Sequence, residues 1–447
     1  MKTATRSSRW FGRFSAALGA AALGLLVTGC EPECVDQFDC ARKGNAGEGK
    51  QFVCVDERCV TQDIPDETGS DAGTDAGTGT DAGTGTDAGT DAGTGPTDAG
   101  VACADLPHDP KLGTLQLQTG FSAAESATIP EGIGAVTAVQ SGSEYKLYGL
   151  RDTDNTSVAD DSIYALGTWP SITLGSAALY AVVPEADRGN TTFPSGFLTN
   201  DGTRLLTGYT RGVTGSPGNV LVYDTVTPAD SVYVSAPGNF SAAAVSGAFF
   251  INGLGIDGVS EGGLAVYALN LASKPFQGSK LATFPTTNAF AASGYSAVTS
   301  DKVAVFGYGV PDSSASDPWA PYINHLHAVA PALYTPAISG RTTLALSNTN
   351  APEIYSGNDL QAVAGFGSGV ALHRGTFTAT RDVSRIELTP GGINPEAVTA
   401  GDLTPVLTTS NACTNVVSMA PMGPDLLIGV KDKNGRRLVR LQQKPQP

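Results

Sequence analysis

Three histidines, a run of aspartates and a pair of aromatics are the side chains here whose types and spacing could do chemistry. His325 and His327 lie two residues apart. On a strand they would share one face. With His373 from a neighbouring element they could present three imidazoles to zinc or copper. Beside Leu326, the same histidines also serve as ordinary structural residues. Asp152, Asp154, Asp160 and Asp161 crowd the segment "RDTDNTSVADD", and clustered oxygens suit calcium. That segment lacks the central Gly and terminal Glu of an EF-hand loop, so solvated loop charge is the simpler reading. No cofactor is expected; calcium or zinc is what these groups would take. Trp319 and Tyr322, in "PDSSASDPWAPYIN", are aromatics of the kind that stack on sugars or anchor a partner.

The cysteines divide by position. Cys34, Cys40, Cys54 and Cys59 fall in a short stretch with little apolar sequence, which cannot bury a core and is naturally held by two crosslinks. Four cysteines allow three pairings, and spacing does not choose among them. Zinc is the rival reading, but paired C-x-x-C knuckles are missing. Cys103 and Cys413 stand apart from this group. Cys30 stands apart in another way, because it follows a basic start (Lys2, Arg6, Arg9, Arg13) and an apolar run too short to span a bilayer.

Val27-Thr28-Gly29-Cys30 resembles a bacterial lipobox, in which the cysteine thiol receives lipid and becomes the mature N-terminus. That resemblance implies a secretory signal over 1–29 and a membrane anchor at Cys30. Glu31, where lipoproteins kept at the inner membrane often carry Asp, implies the outer membrane, with the protein exposed at the cell surface or facing the periplasm. The stretch from Cys34 to Val60 resembles the small cysteine-rich motifs that begin many surface lipoproteins of gliding soil bacteria. The whole chain has 27 basic and 43 acidic residues, and losing the four basic residues before Cys30 takes its net charge from −16 to −20. Phosphate backbones would be repelled, so a nucleic-acid partner is not expected.

From Asp66 to Gly100 the chain repeats "TDAG" with eight acids and no basic residue. Such composition cannot offset the entropy of ordering. As a flexible coil this segment reaches about 30–35 Å. It reads as a tether.

Beyond it, short apolar strands and turn signals recur. "SGFLTNDGTRLLTGYTRGVTGSPGNVLVYDT" reads as strand, Asp-Gly turn, strand, polar loop and strand, and five other segments share the plan. Gly149, Gly208, Gly253, Gly307, Gly375 and Gly429 close the second strand of each unit, 45 to 68 residues apart. First strands are rich in Ala, Gly and Ser, as in "SAAAV" and "AVAGFG"; alanine is a poor strand former, so crowding around a central axis is the natural cause. Fourth strands read as "SVYVSA", "SKLATF", "TTLALS" and "LTPVLTT", and "GTLQLQTGF" at 113–121 is a spare strand that would close the ring. No convincing amphipathic helix appears. The pattern resembles the β-propellers of bacterial surface and lactonase-like proteins; a two-domain β-sandwich is the competing arrangement. The expected organisation is all-β: signal peptide 1–29, disulfide-rich module 30–65, disordered linker 66–102 and six-bladed β-propeller 103–447, with a Cys103–Cys413 bond where the ring's ends meet.

No G-x-S-x-G elbow, H-E-x-x-H helix, sialidase Asp-box or nucleotide-binding glycine loop occurs. A lipid-anchored surface module that binds a protein or polysaccharide is therefore favoured over an enzyme. The alternative is a hydrolase or lyase acting on a surface polysaccharide or a lactone. Candidate binding residues are Trp319, Tyr322, Asp152 and Asp154. Intact-mass analysis of the membrane fraction should find the chain beginning at Cys30 with a diacylglycerol adduct.

Overall fold

The computed structural model describes residues 50–55, 58–63 and most of 103–444; within the latter span, 104–105, 131, 152–161, 174, 176–177, 183–191, 212–217, 237–238, 246, 255–263, 273, 275, 284–292, 312–321, 376–381 and 410–412 are excepted. The chain divides into two compact units, Met1–Thr94 and Gly95–Pro447. In the first, β1 (Lys50–Val55) and β2 (Arg58–Asp63) form an antiparallel hairpin whose register places Cys54 opposite Cys59. Cys30, Cys34, Cys40 and the linker repeat lie outside the described residues.

The second unit is a six-bladed β-propeller, each blade an antiparallel sheet. It opens with β3 (Gln116–Leu117) and β4 (Phe121–Thr128). Blade one follows as β5 (Ile133–Ser141), β6 (Glu144–Arg151), β7 (Ser162–Thr168) and the short β8 (Ser171–Ile172) and β9 (Tyr180–Ala181), both paired to β7. Blade two is β10 (Thr192–Asn200), β11 (Arg204–Arg211), β12 (Gly218–Asp224) and β13 (Val232–Ala236). Blade three is β14 (Asn239–Val245), β15 (Ala248–Leu254), β16 (Leu264–Asn270) and β17 (Gln277–Thr283). Blade four begins with β18 (Ser293–Val298), β19 (Ala304–Pro311) and β20 (Tyr322–Val329); helix α1 (Pro331–Gly340) and β21 (Leu344–Ala345) intervene before its outer strand, β22 (Glu353–Gly357). Blade five is β23 (Leu360–Phe366), β24 (Gly369–Arg374), β25 (Asp382–Pro390) and β26 (Val398–Thr408). Blade six is β27 (Asn415–Met422), β28 (Asp425–Asp432) and β29 (Gly435–Gln443), completed by β4.

Blades stack face to face, so their middle strands are apolar on both sides and read as continuous runs rather than alternations. In β12, Leu221 and Tyr223 pack toward blade one with Leu205, while Val220 and Val222 pack toward blade three with Phe249 and Ile251. Six such clusters fill the six interfaces, the last joining Met422, Leu427 and Leu438 of blade six to Ile133 and Leu147 of blade one. At the axis, inner strands approach so closely that a Cβ on Gly365 would sit 2.1 Å from the Val298 carbonyl oxygen of the next blade. Of the second-strand glycines, Gly307 shows the same need, with Leu326 Cδ2 at 2.3 Å from such a Cβ.

Three expectations are corrected. The closing strand is β4, paired from Thr128↔Arg437 to Phe121↔Gln443, and not 113–121. Gly120, at φ +95°, turns the chain between β3 and β4, so the two-residue β3 instead extends blade five by pairing with β26. "TTLALS" does not close blade four. Its Leu344–Ala345 pair runs parallel to β17, and β22 takes the outer place. The ten-residue α1 was not evident because its apolar residues follow no helical stripe, and Pro331 and Pro336 interrupt its sequence signal. Pro331 stands at the helix start, where its missing N–H costs nothing. Among the described residues, no helix is long and apolar enough to cross a membrane.

The entering chain is fastened to the last blades by more than β4. A disulfide joins Cys103 to Cys413. The Thr114 amide donates to Thr414 Oγ1 at 2.8 Å, and the Gln118 amide to the Val406 carbonyl at 3.0 Å. Arg437 Nε donates to the Lys111 carbonyl at 2.6 Å, and its other nitrogens donate to both Asp432 oxygens at 2.9 and 2.8 Å. The Arg437 hydrogen bonds hold the Asp432 carboxyl below its usual range. Loop closure over a sequence separation of 310 is worth about 5–6 kcal/mol in the chain-entropy model. The Cys103→Ser, Cys413→Ser double variant should lose roughly 2–5 kcal/mol in urea denaturation, and non-reducing peptide mapping should recover the 103–413 linked peptides.

Candidate binding site at the axis and the loop end

In each blade the first strand leads directly to the second, through tight turns such as 142–143, 367–368 or 423–424, and the second strand returns. The second strands therefore end, and the third strands begin, at the opposite end of the ring, and the outer strands end there too. Of the anticipated site residues, Asp152, Asp154 and Trp319 lie outside the described residues. Tyr322 opens β20, half-buried, across from Pro311.

The three histidines do not converge. His325 and His327 share the face of blade four that turns toward blade three. There Tyr308 packs against both rings, with centroids at 5.3 and 5.9 Å. His325 Nδ1 meets Glu353 Oε2 at 3.2 Å, and His327 Nδ1 lies 3.0 Å from the Ala351 carbonyl. His373 is on β24, where Leu372 faces blade four and Ala371 faces blade six. Alternation turns His373 toward blade six, away from the other pair. Two sheets separate the rings. Among the described residues no group of three His, Cys, Asp or Glu could hold a metal ion, so the proposed trio is corrected to separate structural positions. Burial pushes the His327 imidazole below its usual value, outweighing the Ala351 hydrogen bond and nearby Glu353.

Near the loop end, between blades four and five, lies a polar cluster that sequence reasoning did not find. Arg374 donates through Nε and Nη2 to Asp359 Oδ2 at 3.1 and 2.9 Å, with Asp382 Oδ2 at 3.8 Å from Nη1. The Tyr355 hydroxyl donates to the other Asp359 oxygen, and burial followed by the hydrogen bond and charge of Asp359 pushes that hydroxyl far above its usual value. Burial likewise raises the Asp382 carboxyl. The Gly375 amide donates to the Asp359 carbonyl at 2.7 Å, so the cluster clamps the root of the 376–381 connection. Its members are distant in sequence, and only the pairing of β24 with β25 brings Arg374 opposite Asp382.

Along the axis runs a channel of about 330 Å³ lined by all six inner strands. Thr199, Asn200, Ser241, Ser296, Gln361 and Ser418 supply its hydroxyl and amide side chains. Among the described residues, no Asp, Glu, Lys, Arg or His lines it. Asn200 is fixed by donating Nδ2 to Thr137 Oγ1 at 2.7 Å and to the Ala138 carbonyl at 3.1 Å, while Ser241 and Ser296 join their hydroxyls at 3.0 Å across two blades. The sequence signal for this channel was the small-residue character of the first strands.

No protein-family model matches the chain, and no curated protein sequence matches it. Solved β-propellers do. The Cps50 (Swd1) β-propeller domain of Myceliophteria thermophila is 12% identical, with 72% of this chain and 100% of that one covered at a TM-score of 0.40. The fungal Aleuria aurantia lectin, a six-bladed β-propeller, is 10% identical, with 71% and 99% covered at a TM-score of 0.35. A prolyl endopeptidase structure is 10% identical, with 71% of this chain but 42% of that one covered at a TM-score of 0.40. These likenesses concern the fold alone.

The depressed His327 predicts an acid-side loss of stability. Its contribution is complete above the usual imidazole value of 6.5 and disappears as pH falls through the lower folded value. Urea denaturation between about pH 8 and 5 should show a smaller stability loss for His327→Gln than for the parent chain.

Proposed function

We propose that this protein is a lipid-anchored cell-surface binding module, with Cys30 as the anchor and a protein or polysaccharide as its ligand. The topology of the ring, in which second strands end and third strands begin at one end of the blades, carries this reading. Loops on an over-determined scaffold can vary and bind without disturbing the core. Among the described residues the axial channel has no charged side chain in its lining, which agrees with binding rather than catalysis, since general acid–base or nucleophilic chemistry needs titratable side chains near the ligand. Trp319 and Tyr322 flank the start of β20 and would supply the aromatic contact surface, with Asp152 and Asp154 in the corresponding connection of blade one.

Crosslinking on intact cells, followed by a glycan array with the lipid-free Cys30→Ser chain, tests the reading. Trp319→Ala and Tyr322→Ala should each weaken capture of the partner by about tenfold, in line with a rigid aromatic anchor, with circular dichroism unchanged. Retained capture by both variants would sink the role given to this loop.

A further inference from the structure

We infer that the axial channel is a binding site for a neutral, hydroxyl-rich ligand of the size of one or two sugar rings. This rests on the binding-module reading and names a ligand class and a place for it within the ring. The channel's volume of about 330 Å³ falls in the range of small-molecule sites, roughly 300–1,000 Å³. Its lining is the second observation. The chain carries a net charge of −16, yet among the described residues no acid or base lines the channel. An anion entering there would meet no cation, and a cation no carboxylate, among the described residues, so either would give up hydration without an opposite charge beside it. A neutral ligand escapes that penalty.

The polar groups that do line the channel set the ligand's chemistry. Thr199, Ser241, Ser296 and Ser418 bring hydroxyls, and Asn200 and Gln361 bring amides, from five of the six blades. Backbone adds a third kind of group. Each inner strand (β5, β10, β14, β18, β23, β27) ends its sheet, so it has a ladder partner on one side only. Its other edge alternates N–H donors with C=O acceptors around the axis. A wholly apolar ligand would strand such groups, whereas a polyol both donates and accepts at every hydroxyl. Phe197, Val363 and Met419 share the lining and offer apolar cover for the C–H faces of a sugar ring. Asn200 and the Ser241–Ser296 pair are already held by neighbouring blades, which lowers the ordering cost of binding.

The test uses the full mature chain with Cys30→Ser. Saturation-transfer NMR and calorimetry would be run against maltose, cellobiose, lactose and methyl α-glucoside as neutral probes, with glucuronic acid and glucose 6-phosphate as anionic ones. At least one neutral probe should bind, and the anionic probes should not. Ala362→Phe, which fills the channel, should weaken that binding by tenfold or more. Thr199→Val, which keeps the volume and removes a hydroxyl, should weaken it severalfold, and it carries the test if Ala362→Phe does not fold. Glu144→Gln, exposed beside the 142–143 turn, should leave sugar binding unchanged. No neutral probe binding, equal binding of the anionic probes, or undiminished binding by folded channel variants would overturn the inference. Capture of a cell-surface partner that survives filling of the channel would leave the binding-module reading standing while the channel site fails. Loss of capture in the loop variants alone would point the same way.

Discussion

The pairing of β4 with β29 is the interaction on which the rest of the molecule depends. Without it blade six has three strands, and the apolar cluster between blades six and one loses Ile129 and the cover of Ala127. A propeller has no central core to compensate. Its apolar surface is distributed among interfaces, each shared by two sheets, so an open ring exposes two blade faces at once. The N-terminal strand thus supports residues more than three hundred positions away, which explains the density of contacts around it. Arg437 alone ties the Lys111 carbonyl to the buried Asp432 carboxylate, and a buried charge left unpaired there would be costly.

Closure also governs what the axis can be. Six sheets held at fixed angles bring their first strands together, and only small side chains fit where those strands are nearest. Gly365 against Val298 marks the limit of approach. Where the strands diverge slightly, the same small residues leave open volume, and hydroxyl- and amide-bearing residues are among those that line it. The channel and the tolerance of the ring for alanine-rich strands have one physical origin.

Repeat architecture was legible in the sequence because it leaves a periodic trace: a glycine near the end of each second strand, small residues in each first strand, and double-sided apolar runs such as "NVLVY" and "DLLIG". The blade count follows from those marks. What could not be read were the exchanges between neighbouring strands of similar composition. "TTLALS" and "EIYSG" compete for one edge, and the winner depends on where α1 redirects the chain. "GTLQLQTGF" and "FSAAESAT" compete in the same way, decided by the turn at Gly120. The side-chain sites were less legible still. His325 and His373 look like partners in sequence, but strand alternation sends them to opposite sides of two sheets. Arg374 and Asp359 carry no local signature, and only the register of β23 with β24, which sets Leu360 opposite Arg374, makes them a pair.

The bond between Cys103 and Cys413 has a mechanical meaning. Any preceding tether would pull first on the two-residue β3 and then on β4, which closes the ring and is the worst place to apply a load. Tension arriving at residue 103 meets the sulfur bridge before it reaches β3 or β4. The load path then runs through a covalent link to residue 413, at the root of β27, and bypasses the hydrogen bonds of the closing strand. A pull that would unzip β4 one rung at a time is converted into a pull on the body of blade six, where β27 is already paired along its length to β28.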